Sequence, residues 1–125
     1  MNRDIKKFHE CGYVIVTDFL SDSQHEELVK ECHNLADFGM HNPDKFWVLN
    51  APNNPCKLDG VMELSGKLFR LGRNETLVKY ARELIGPDIE TYISKFFPMI
   101  PREGFSVDWH QDNHYIKADP NKMIS

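Results

Sequence analysis

An imidazole and a carboxylate stand two residues apart in the run Val107-Asp-Trp-His-Gln-Asp-Asn-His-Tyr115. If that run is extended, alternation turns His110 and Asp112 to the same side. Together they supply two of the three donors of a 2-His-1-carboxylate facial triad, which leaves positions on an iron ion open for a co-substrate and oxygen. A lone His-x-Asp recurs by chance, so the pair takes its meaning from its surroundings. These are an aromatic stretch, a polar cluster and a preceding turn at Arg102-Glu-Gly104. His114 falls on the same side, but at about 3.3 Å per residue it would lie about 13 Å from His110, too far for the three to close on one ion. His9, His25, His33 and His41 fall on predicted helices or a loop, where a solvated or packed imidazole is expected. Neither a His-Glu-x-x-His nor a cysteine pair points to zinc, which ranks a hydrolase built on another metal last.

Composition narrows the partners. Fifteen Lys and Arg against 19 Asp and Glu in 125 residues leave a formal charge of −4. The basic residues are scattered, so no nucleic-acid surface is implied. No apolar run approaches the roughly 20 residues that span a bilayer, and the first residues lack the apolar stretch of a secretory signal. The expectation is a soluble, cytoplasmic chain acting on a small molecule. An apolar content of 41% is enough for a core, and one domain over 1–125 is the expectation at this length. Cys11, Cys32 and Cys56 form an odd set with no Cys-x-x-Cys, which reads as reduced thiols.

The elements that must position the pair can be traced along the chain. Ile5 and Phe8, three apart among charges, predict a short amphipathic helix over 2–10, ended by Gly12. Tyr13-Val-Ile-Val-Thr17 has the composition of a buried strand. Ser21 with Gln24 forms a capping box that opens a second helix to Gly39, with Leu28, Cys32, Leu35 and Ala36 inward and Glu26, Glu27, Lys30 and Glu31 outward. Residues 39–60, rich in Pro and Asn, predict a loop around a pocket, with Phe46–Leu49 as its anchor. Leu64, Leu68 and Leu71 predict a short helix. Asn74 caps another, with an apolar stripe of Leu77, Val78, Ala81, Leu84 and Ile85, closed by Gly86-Pro87. Alternation over Ile89–Phe97 predicts a strand with Ile89, Thr91, Ile93, Lys95 and Phe97 on one face, and Ser106–Tyr115 predicts its extended neighbour. Trp47 and Trp109 read as core or pocket-wall residues, Asn113 and Tyr115 as surface positions after a strand with substrate contact as the alternative, and Asp108 as solvated.

Two stretches carry a wider likeness. Gly86-Pro-Asp-Ile, Tyr92-Ile-Ser-Lys-Phe-Phe-Pro98 and Trp109-His-Gln-Asp-Asn-His-Tyr115, in that order, together with Phe8-His-Glu-Cys-Gly-Tyr-Val-Ile-Val-Thr-Asp-Phe-Leu-Ser21, resemble the phytanoyl-CoA dioxygenase family. The resemblance covers nearly the whole chain. It implies an α+β fold in which N-terminal helices, residues 1–88, pack on a double-stranded β-helix, or jelly roll, that begins at 89–125. It also implies Fe(II) as cofactor and 2-oxoglutarate as co-substrate. Oxygen and 2-oxoglutarate would be consumed, succinate and CO2 released, and a substrate C–H bond hydroxylated. By this resemblance His110 and Asp112 are metal ligands, and Gln111 lies beside the co-substrate. Lys95 occupies the strand that aims a residue at 2-oxoglutarate. A lysine among inward apolar side chains needs an anion, for which the co-substrate is one candidate; snorkelling to solvent is the other.

The family pattern also calls for a second histidine and a co-substrate arginine well downstream. Only 13 residues follow Asp112, with one histidine and no arginine. Eight strands need far more chain than two. The expectation is therefore an incomplete β-helix: the N-terminal part of a longer dioxygenase, its C-terminal half missing, inactive alone. The competing expectation is a non-catalytic half-barrel that self-associates through its open sheet edges as an interaction module.

Overall fold

The computed structural model describes residues 2–42, 44, 46–47, 57–98 and 108–125. They fall into two compact units, one formed by 1–19, 73–90 and 107–125, the other by 20–72 and 91–106. The secondary structure is helix-rich with one small antiparallel sheet, an α+β composition.

In the first unit, α1 (Asn2–Cys11) half-buries Asp4, Ile5 and Phe8, the face its spacing predicts, and Gly12 ends it at φ 81°. It packs on α5 (Glu75–Ile85). Asn74 caps α5 by accepting from the Thr76 amide at 2.9 Å, and Gly86 stops it at φ 111°, a conformation that glycine adopts without a Cβ penalty. Val78, Tyr80, Ala81, Leu84 and Ile85 are half-buried, while Leu77 is exposed. The Tyr80 hydroxyl donates to Asp4 Oδ2 at 2.7 Å and ties the two helices together. At the other end of α5, Lys122 Nζ donates to the Ile85 carbonyl at 3.3 Å, a cation at a helix C-terminus. Lys122 closes a 3₁₀ turn, Pro120–Lys122, so this contact anchors the last residues of the chain. No described residue of this unit is fully buried.

The second unit holds the core. α2 (Asp22–His41) opens on the predicted capping box: Ser21 Oγ accepts from the Gln24 amide at 3.3 Å, and Gln24 Oε1 accepts from the Ser21 amide at 2.9 Å. Its Leu35 meets Leu58 and Val61 in a buried cluster flanked by Leu68 and Phe96. Leu58 lies on β2 (Lys57–Asp59), the middle of three antiparallel strands between β1 (Phe46–Trp47) and β3 (Lys95–Phe96). The register pairs Leu58 with Phe46 on one side and Phe96 on the other. α3 (Val61–Leu64) and α4 (Gly66–Gly72) follow, separated by Ser65. Ser65 is 2% exposed. Its hydroxyl donates to Glu31 Oε1 at 2.5 Å and accepts from the Leu68 amide at 3.3 Å, so one buried group links α2 to the start of α4. Ser94 does the same for α3. Its hydroxyl accepts from the Met62 amide at 3.0 Å, and its carbonyl accepts from the Gly60 amide at 2.8 Å.

Several expectations are corrected. Tyr13–Thr17 is not a strand: no ladder partner lies beside it among the described residues, and Tyr13, Ile15 and Val16 are exposed. The predicted loop 39–60 contains β1 and β2, and β2 contributes Leu58, at 1% exposure the most buried core side chain. The strand expected over Ile89–Phe97 shortens to Lys95–Phe96, with its phase reversed. Phe96 packs on the core and Ser94 serves α3, so Lys95, Ile93 and Phe97 are exposed. Glu31, expected outside, is half-buried against Ser65 and lies 3.8 Å from Lys67 Nζ. Val48, Leu49, Cys56 and the Arg102–Gly104 turn lie outside the described residues, as do the side chains of Phe46 and Trp47. Cys11 and Cys32 are free thiols. Burial, then the Glu31 charge, pushes the Cys32 thiol up.

Leu58→Ala opens a cavity against Leu35 and Val61 and is expected to destabilise the chain by about 2–5 kcal/mol in urea unfolding; a change within experimental error would place the core elsewhere. The hydrogen bond from Tyr80 holds the Asp4 carboxyl below its ordinary 3.8. Asp4 ionisation therefore favours the folded form, fully above the unfolded value and decreasingly as pH falls through the folded one. Tyr80→Phe is expected to raise the Asp4 carboxyl pKa in a carbon-13 NMR titration; an unmoved midpoint would contradict the tie.

Candidate metal centre

The segment bearing the sequence-predicted ligands is a turn and not a strand. Residues 108–111 are irregular, Asp112 has helical φ and ψ of −54° and −34°, and Asn113–Ile116 forms one turn of helix, α6. His110 and Asp112 therefore do not meet through strand alternation. They meet because the chain bends at Asp112. His110 Nε2 lies 3.3 Å from Asp112 Oδ1.

A second contact decides what that approach means. His110 Nδ1 lies 2.8 Å from the Asp108 carbonyl oxygen. A carbonyl only accepts, so Nδ1 carries a hydrogen, and Nε2 is the nitrogen that faces Asp112. A proton on Nε2 makes the contact an exposed ion pair, and a cation held by Nε2 and the carboxylate together is the other chemistry this approach admits. The 3.3 Å separation exceeds the roughly 2.7–2.9 Å of a charge-assisted N–H···O bond. Two donors at right angles on one ion, each bond about 2.1 Å, stand about 3 Å apart, so the distance is compatible with a shared proton or a shared metal ion. A ligating histidine whose other nitrogen donates to a carbonyl is the usual arrangement at metal sites. The donor set, one imidazole and one carboxylate, fits a divalent first-row metal.

Asp112 is free for this task. It occupies the N-cap of α6, where an aspartate ordinarily accepts from the helix amides, yet its side chain makes no capping hydrogen bond. Both side chains are accessible, 42% for His110 and 53% for Asp112, so the pair faces solvent. Around it the Tyr115 ring meets His110 edge-on at 6.2 Å and His114 at 5.1 Å. Trp109 is fully exposed, which corrects its reading as a core or pocket-wall residue. Gln111 is exposed, and its carbonyl accepts from the His114 amide at 2.9 Å. Lys95 belongs to the other unit, where it is exposed and pairs in register with Asp59, so burial creates no need for an anionic partner. His114 lies on α6, and no group of three His, Cys, Asp or Glu able to hold a metal ion comes together among the described residues.

A family profile described as phytanoyl-CoA dioxygenase matches residues 8–125. The chain belongs to the phytanoyl-CoA dioxygenase family. Membership makes it a relative of dioxygenases that in general depend on Fe(II) and 2-oxoglutarate. No curated protein and no solved structure matches the chain. No described helix is long and apolar enough to cross a membrane.

Two features of the site carried no advance signal in the residue pattern. The Asp108 carbonyl is a backbone group that any residue would offer. Asn113, read as a surface position, is half-buried and bonded through both side-chain atoms to Ala118.

Proposed function

We propose that this chain contributes the metal-binding segment of an Fe(II)- and 2-oxoglutarate-dependent hydroxylase acting on a small organic substrate. The observation that carries the reading is the convergence of His110 Nε2 and Asp112 Oδ1 at 3.3 Å, with Nδ1 committed to the Asp108 carbonyl. Family membership supplies the reaction class. His110 and Asp112 would hold the iron, which supplies oxygen activation coupled to oxidative decarboxylation of 2-oxoglutarate. In this reading Gln111 borders the co-substrate. A facial triad needs one more donor, and no third His, Cys, Asp or Glu joins the pair among the described residues.

The chain's own part is to orient and to hold. The Asp108 carbonyl accepts from Nδ1 and turns Nε2 toward Asp112. Asp112, unspent on the helix cap, supplies the negative charge that a divalent cation requires. With two donors from this chain, water fills the other positions, so binding is weak and turnover is not expected from the 125 residues alone.

Isothermal titration with Mn(II), a redox-stable stand-in for Fe(II), tests the reading. Wild type is expected to bind one ion, and His110→Ala and Asp112→Ala are each expected to lower the affinity at least about tenfold, the smaller end of what loss of a mere outer partner costs. Equal binding by all three proteins would reject the pair as ligands. Succinate formation by the purified chain, lost in His110→Ala, would contradict the need for further residues.

A further inference from the structure

The turn that carries the ligand pair is too short to sustain itself. α6 has four residues, and one isolated helical turn fixes more backbone than its hydrogen bonds repay. The Asn113 side chain closes it. Nδ2 donates to the Ala118 carbonyl at 2.9 Å, and Oδ1 accepts from the Ala118 amide at 2.8 Å. This reciprocal pair bridges a reversal made by Lys117, whose φ of 57° is left-handed and which donates its amide to the Asn113 carbonyl at 2.9 Å. Asp112 directly precedes the clamp. Tyr115 lies inside it, with its ring at 70° to the His110 imidazole and 6.2 Å away.

The geometry points to Asn113 as a positioning residue: by clamping the 113–118 turn onto itself, it sets the Tyr115 ring against His110 and holds the Asp112 carboxylate opposite Nε2. The role rests on the metal-ligand reading for its purpose, but its structural effect is independent of any metal. Both polar atoms of its side chain bond Ala118, which assigns the side chain to the turn. An alanine in its place would leave the Ala118 amide and carbonyl without these partners and free the turn to open.

The test compares wild type, Asn113→Ala and Asn113→Asp, each as the 125-residue chain. Without metal, wild type is expected to show nuclear Overhauser contacts between the His110 and Tyr115 rings and slowed hydrogen exchange at the Ala118 amide. Asn113→Ala is expected to lose the ring contacts and to speed Ala118 exchange at least tenfold. Asn113→Asp keeps the acceptor for the Ala118 amide and loses the donor, so it is expected to be intermediate, and it decides the matter should the alanine variant not fold. With Mn(II), Asn113→Ala is expected to bind about tenfold more weakly, as outer partners of metal ligands do. Unchanged ring contacts and Ala118 protection in the variants would overturn the proposal. A wild-type chain that binds no Mn(II), yet whose ring contacts vanish in Asn113→Ala, overturns the metal reading and supports the clamp.

Discussion

The hydrogen bond from His110 Nδ1 to the Asp108 carbonyl governs what this surface can do. It engages Nδ1 and turns Nε2 toward the Asp112 carboxylate, so the imidazole meets the carboxylate through one nitrogen only. The donor geometry depends on a backbone oxygen two residues away, and the chemistry on the bend that lets Asp112 return to His110.

The first unit is held through few, mostly polar contacts. No described residue there is fully buried, so the unit is held by half-buried helix faces and by specific ties: Tyr80 to Asp4, Lys122 to the end of α5, and Asn113 to Ala118. The second unit is built differently. Leu35, Leu58 and Val61 exclude water, while Ser65 and Ser94 join its elements through hydroxyls whose partners are satisfied. Apolar residues such as Ile15, Tyr92, Ile93 and Phe97 stay accessible.

The helices were legible in the residue pattern because their signals are local. Ser21 with Gln24, Asn74, Gly12 and Gly86 each act on amides or dihedrals within a few residues, so their types suffice to mark a beginning or an end. Strands depend on partners distant in sequence. Tyr13–Thr17 has strand composition and no ladder, whereas Lys57–Asp59, hidden in a Pro- and Asn-rich stretch, forms the central strand because Phe46 and Phe96 flank Leu58. Alternation around Lys95 fixes a period and leaves the phase open, and the Ser94 hydroxyl and the Phe96 ring take the inner positions. The approach of His110 to Asp112 was legible as a pairing, since an imidazole and a carboxylate two residues apart can face one another. The cause of their meeting was not. A helical turn brings them together, and its stabilising contacts at Asn113 and Asp108 depend on backbone geometry that residue types do not encode.

The most direct measurement is histidine nitrogen-15 and carboxyl carbon-13 NMR of the chain during addition of substoichiometric Mn(II). His110 should begin with its proton on Nδ1, and the paramagnetic ion should then broaden His110 Nε2 and the Asp112 carboxyl carbon together, before His9, His25, His33, His41 or His114 responds. Broadening spread evenly over the histidines, or a His110 protonated on Nε2 in its neutral form, would contradict a shared metal cradle.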